Sequence, residues 1–89
     1  MTGQLYKLKE EMKVCKVHNV DTSYYTADLD ECYKHCKQDG VNHFSYGRKE
    51  SWACDIADRP DQCKCWCFIK GCEEKYNRDI DLYVIVQGA

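Results

Sequence analysis

Along TADLDECYKHCKQDG (26–40) the apolar positions recur at helical spacing. Leu29, Cys32, Tyr33 and Cys36 stand at i, i+3, i+4 and i+7, one face of an α-helix, and Asp30, Glu31, Lys34 and Lys37 take the outward side. Asp28 followed three residues later by Glu31 is a capping-box pattern, and Gly40 is placed to end the helix in the left-handed conformation. Elsewhere the pattern alternates, as strands require. Strands are predicted at NHFSYG (42–47), WACDI (52–56), CKCWCFI (63–69) and IDLYVIV (80–86). In the last, Ile80, Leu82, Val84 and Val86 share one face, with Asp81, Tyr83 and Ile85 on the other. GRKES (47–51) and ADRPDQ (57–62) read as turns, the second marked by Pro60, and KGCEEKYNRD (70–79) reads as a polar connection. In the first twenty residues two patterns compete. Leu5, Leu8, Met12 and Cys15 would line a helix, but KVCKVHNV alternates, and a strand around Cys15 is the preferred reading.

These elements give an α+β chain of 89 residues, read as a single domain over 1–89. A chain this short buries only about 60–65% of the surface its unfolded form exposes, so its core alone is marginal. Its eight cysteines approach the density of a disulfide scaffold, and an even number permits complete pairing. Such a scaffold belongs in an oxidising compartment, which predicts a secreted or extracellular-face protein. The formal charge of −2, with both signs interspersed, leaves no basic footprint for nucleic acid. No apolar run reaches the ~20 residues of a membrane span, so no direct membrane insertion is expected. MTGQLYKLKEEMK lacks the apolar stretch of a signal peptide, and the expectation is a module cut from a longer secreted protein beside other modules of the same chain.

CKCWC (63–67) sharpens this picture. On a strand, Cys63, Cys65 and Cys67 share one face, and Lys64 and Trp66 take the other. Cys32 and Cys36, one helical turn apart, project from one side of the helix. A helix laid across the sheet therefore brings both within bridging distance of two of the three strand cysteines. The third pairs with Cys15, Cys54 or Cys72, which spacing alone does not rank. A zinc site including His35 or His43 is the competing reading, but no C-x-x-C occurs, and disulfides are preferred. No metal or other cofactor is expected. His18, His35 and His43 read as ordinary surface or packing residues, and no lone cysteine stands ready beside a histidine for catalysis.

The stretch DLDECYKHCKQDGVNHFSYG resembles the PAN/apple family, in which a helix carrying C-x-x-x-C leads through a short turn into a strand with an F-x-Y-like pattern. Cys32 and Cys36 match the helix positions and Phe44 and Tyr46 the strand positions; the cysteines of CKCWC would be the sheet partners. The likeness spans roughly residues 12 to 86. Two positions depart from the pattern: GVNH has no cysteine before the F-x-Y strand, and IDLYVIV has none on the last strand. C-x-x-x-C with a later C-x-C also occurs in defensin and scorpion-toxin folds. The resemblance implies a small disulfide-rich domain in which a twisted antiparallel sheet cradles one helix. It also implies contacts with proteins or carbohydrates, as in plasminogen-like and coagulation proteins, leech antiplatelet proteins and apicomplexan microneme adhesins.

The functional expectation is a non-enzymatic extracellular module for cell adhesion that binds a protein or glycan ligand. The alternative is a secreted effector, a channel toxin or defensin-like peptide, although such scaffolds are shorter and basic. Ligands are expected at loops or an exposed face, since bridges bury the helix side of the sheet. The richest such loop is YGRKESW, with Tyr46, Arg48, Lys49, Glu50 and Trp52 as candidate contacts. Arginine and carboxylate supply directional hydrogen bonds, and the rings supply stacking area. The plain structural role for Trp66 is to pack the second sheet face, and for Trp52 to cover a disulfide.

Overall fold

The structure, a computed structural model, describes residues 5–16, 20–68 and 72–86. The one α-helix among them, α1 (Leu29–Gln38), forms where the periodicity places it. The Asp28 carboxylate accepts from the Glu31 backbone N–H at 2.9 Å. Glu31 reaches back in turn, accepting from the Ala27 N–H at 2.8 Å, one residue before the capping-box position. At the other end Gly40 sits at φ +80, where its N–H reaches the Lys37 carbonyl and that of Val41 reaches Cys36. This paired closure satisfies two orphan carbonyls, and glycine takes the left-handed position without a Cβ penalty.

Seven strands surround it: β1 (Tyr6–Glu10), β2 (Lys13–Cys15), β3 (Val20–Thr26), β4 (His43–Gly47), β5 (Cys63–Phe68), β6 (Glu74–Tyr76) and β7 (Ile80–Ile85). Five make an antiparallel sheet in the order β1-β7-β4-β5-β3, and β2 and β6 pair as a separate ribbon. The strand around Cys15 is thus present, and the helical alternative for that region gives way to the β1–β2 turn. Two expectations are corrected. Residues 52–54 form a single 3-10 turn instead of a strand, capped by Ser51, whose hydroxyl accepts from the Ala53 N–H. The connection at 70–79 contains β6, which pairs antiparallel with β2 to complete the ribbon. His18 and Ile69 lie outside the described residues.

The sheet carries a core on each face. On one side Cys32, Tyr33 and Cys36 of α1 pack with Val41, Phe44, Cys65, Cys67 and Ile85, and Tyr6, Tyr24, Tyr46 and Tyr83 border them. Phe44 is fully buried, its ring 5.3 Å from that of Tyr83, and the Tyr46 hydroxyl donates to the Thr26 carbonyl at 3.0 Å. On the other side the ribbon lays Val14 and Cys15 over Phe68, Ile80 and Leu82. The alternation of β7 therefore separates two cores, not a core from solvent.

All eight cysteines are joined: Cys15–Cys72, Cys32–Cys65, Cys36–Cys67 and Cys54–Cys63. The two helix bridges have Cα separations of 5.6 and 5.2 Å and lie side by side. Cys32, Cys36, Cys65 and Cys67 are fully buried. Cys63, the third strand cysteine, holds the 3-10 turn, and Cys15–Cys72 staples the ribbon.

Non-reducing peptide mapping should return these four pairs. Replacing Cys36 and Cys67 together by alanine should cost about 2–3 kcal/mol in urea denaturation, because the neighbouring Cys32–Cys65 bridge already closes the long span and leaves only a short loop for the second link to constrain. A loss below about 1 kcal/mol would mean that the helix is held mainly by packing. A second outcome concerns His43, whose Nδ1 is buried with no hydrogen-bond partner among the described residues. Burial first, and the Lys9 ammonium next, hold this imidazole below its ordinary value against the opposing pull of Glu74. The unfolded chain therefore takes the proton first. The stability from neutral His43 is full above about pH 6.5 and is lost as pH falls toward the depressed folded value. The thermal midpoint should drop between about pH 7.5 and 5.5, and His43→Asn should remove that component.

Candidate functional site

The loop after β4 is fastened to the start of β7 by a dense set of contacts. The Arg48 N–H donates to the Asp79 carbonyl at 2.8 Å, and the Ser51 hydroxyl lies 2.8 Å from the Arg48 carbonyl and 3.1 Å from that of Asp79. The Arg48 guanidinium pairs with the Asp81 carboxylate at 2.6 Å. This carboxylate also accepts from the Met12 N–H at 2.9 Å, at the β1–β2 turn where Met12 adopts φ 57. The Trp52 indole donates to the Asp79 carboxylate at 2.8 Å. Hydrogen bonding to Asp81 raises the Arg48 pKa, so the cation is held charged.

Between these segments opens a cleft of about 640 Å³, lined by residues 47–51 together with Arg78, Asp79, Asp81 and Tyr83. Three of its charges are committed to the scaffold: Arg48 and Asp81 to each other, Asp79 to Trp52. Three others, Lys49, Glu50 and Arg78, are exposed and make no ion pair or hydrogen bond through their side chains among the described residues. Tyr83 at the cleft is half-buried, and burial first, with Asp81 next, pushes its hydroxyl pKa up. It stays neutral and can donate or accept a hydrogen bond.

The five candidate contacts separate in space. Arg48, Lys49 and Glu50 line the cleft. Trp52 lies beside it, 54% exposed, with its polar edge held by Asp79. Tyr46 packs against the helix-side core, its hydroxyl occupied by Thr26. Arg78, Asp79, Asp81 and Tyr83 were not singled out from sequence. Asp81 and Tyr83 were legible as one face of β7, but nothing local shows that this face meets the loop after β4.

Cysteine chemistry is confined to the bridges. The Cys32, Cys36 and Cys65 sulfurs lie within 4.8 Å of one another because two bridges run side by side, and each sulfur is already bonded to another. Among the described residues no helix is long and apolar enough to cross a membrane. No protein-family model, curated protein or solved structure matches the chain.

Gly47 is the position where the site touches the fold most closely. A Cβ there would lie 2.6 Å from the Ala53 Cβ and 3.1 Å from its backbone. Gly47→Ala should therefore push the 3-10 turn off the sheet, with a cost of about 1–3 kcal/mol and a changed tryptophan emission as Trp52 moves. An unchanged thermal midpoint together with unchanged emission would show that the turn yields freely.

Proposed function

We propose that this chain is a non-enzymatic binding module of the extracellular space, similar in plan to PAN/apple domains, whose ligand occupies the cleft between the β4 loop and the start of β7. The observation that carries the reading is the mixed set of uncommitted charges in the cleft: two cations and one carboxylate, beside a neutral phenol, on a framework held by Arg48, Asp79 and Asp81. Cations donate to carboxylate and carbonyl oxygens, and Glu50 accepts from hydroxyls and amides. Such a set suits a polar surface with donors and acceptors on both sides, as on a glycan or a protein loop. The PAN/apple likeness is supported by one helix lying on an antiparallel sheet, with C-x-x-x-C bridged to a strand that is paired on both sides. Bridges at this density suit the secretory pathway and a cell-surface or extracellular ligand, with neighbouring modules of the same chain adding to avidity.

A glycan array together with cell-surface binding assays tests this. Lys49, Glu50 and Arg78 leave the scaffold contacts untouched, so the triple alanine variant should fold normally by circular dichroism. It should lose at least roughly tenfold in affinity for any ligand found, since each charge-assisted hydrogen bond contributes on the order of 1.5–3 kcal/mol. Full binding by the folded triple variant would exclude the cleft. Channel block in electrophysiology without surface binding would favour a toxin instead.

A further inference from the structure

The sheet face opposite the helix is only partly covered. The ribbon lies over Phe68, Ile80 and Leu82, and beyond it the outer face of β3 and β5 carries a line of rings and cations. Tyr25 pairs across the strands with Lys64, and Ser23 with Trp66, which places Tyr25, Lys64 and Trp66 on this same face. The Arg59 guanidinium stands 4.5 Å from the centre of the Tyr25 ring. The Lys64 ammonium lies 5.9 Å from Tyr25 and 5.2 Å from Trp66. Trp66 meets Trp52 edge to face at 6.4 Å, which carries the line to the exposed 3-10 turn. Tyr25 is 39% exposed and Trp52 54%.

The arrangement differs from a solvated surface in what holds the cations. Among the described residues neither Arg59 nor Lys64 makes an ion pair; the only other side-chain contact of either is a 3.4 Å hydrogen bond from Arg59 to Gln62. Ring faces position both groups, which leaves most of their N–H donors directed to solvent. Positioned donors without acceptors call for carboxylates from outside, and large rings beside them offer apolar contact. Tyrosine, tryptophan and arginine in this mixture are the residues that carry binding energy at protein interfaces.

We propose that this outer face docks an acidic protein segment, one that presents separate carboxylates next to apolar side chains. Charge complementarity favours it over a dense polyanion. The segment that supplies Arg59 also exposes Asp55, Asp58 and Asp61, which repel a sulfated polysaccharide or an anionic lipid surface but leave room for one or two well-placed carboxylates. The surface is independent of the cleft, because none of Tyr25, Arg59, Lys64 and Trp66 lines it.

The test is an NMR titration of the 15N-labelled, fully oxidised protein with a synthetic peptide that carries two separated aspartates among leucine and serine, and with the same peptide carrying asparagine for aspartate. The acidic peptide should shift the Trp66 indole N–H and the Tyr25 and Lys64 amides, and the asparagine peptide should bind roughly tenfold more weakly. Arg59→Gln with Lys64→Gln should weaken the acidic peptide by a similar factor, and the variant lacking Lys49, Glu50 and Arg78 should bind it normally. A sulfated oligosaccharide or phosphatidylserine-containing vesicles that shift these resonances in place of the peptide would overturn the choice of partner. Absence of any shift, or equal binding of both peptides, would overturn the surface itself.

Discussion

The fold depends on the clamp between one helix and one strand. Cys32 and Cys36 stand a helical turn apart, Cys65 and Cys67 stand a strand repeat apart, and the two separations are close enough for both bridges to form together. A single bridge would leave the helix free to pivot on the sheet. Two fix its direction as well as its distance, and so align Tyr33 with Phe44 and the tyrosines around it. In a domain too small to hold a helix by apolar area alone, that covalent alignment sets the helix-side core.

The other two bridges extend the same logic to segments with little regular structure. β2 and β6 have three residues each, too short to persist as an isolated hairpin. Cys15–Cys72 ties them, and Val14 and Cys15 then cover Phe68, Ile80 and Leu82. Cys54–Cys63 holds the 3-10 turn to the strand that already carries the clamp. β5 thus carries three of the four bridges, and through it both cores, the turn with Trp52 and the outer ring-and-cation face share one rigid reference.

Polar contacts do the corresponding work at the cleft. Asp81 joins three segments at once, through Arg48 from the β4 loop and the Met12 N–H from the β1–β2 turn. Asp79 receives the Trp52 indole and, through its carbonyl, the Arg48 N–H. With these charges internally satisfied, the loop stands open without collapsing, and its remaining charges face solvent. The site follows a general economy: residues that look functional by type, such as Arg48 and Tyr46, serve as struts, and their less conspicuous neighbours are left available.

Local rules read from the chain settled the helix with its cap and glycine stop, the shared face of the CKCWC cysteines, and the bridging of Cys32 and Cys36 to that segment. These depend on period and chirality, which act over a few residues. The partners of Cys63 and Cys15, the 3-10 turn in place of a strand at 52–54, and β6 within the polar connection were not legible in the same way. Cys15 meets Cys72 across 57 positions, a contact no local pattern announces. The Cys54–Cys63 bridge and the packing of Ala53 where Gly47 leaves room span few residues, but they depend on a turn that neither a helical period nor strand alternation encodes. Alternation in β7 separates two faces, but only the ribbon arriving from elsewhere makes both of them interior. The cleft belongs wholly to the tertiary level, because Lys49 and Arg78 become neighbours through strand pairing between β4 and β7, and backbone pairing carries no local signature of its partner.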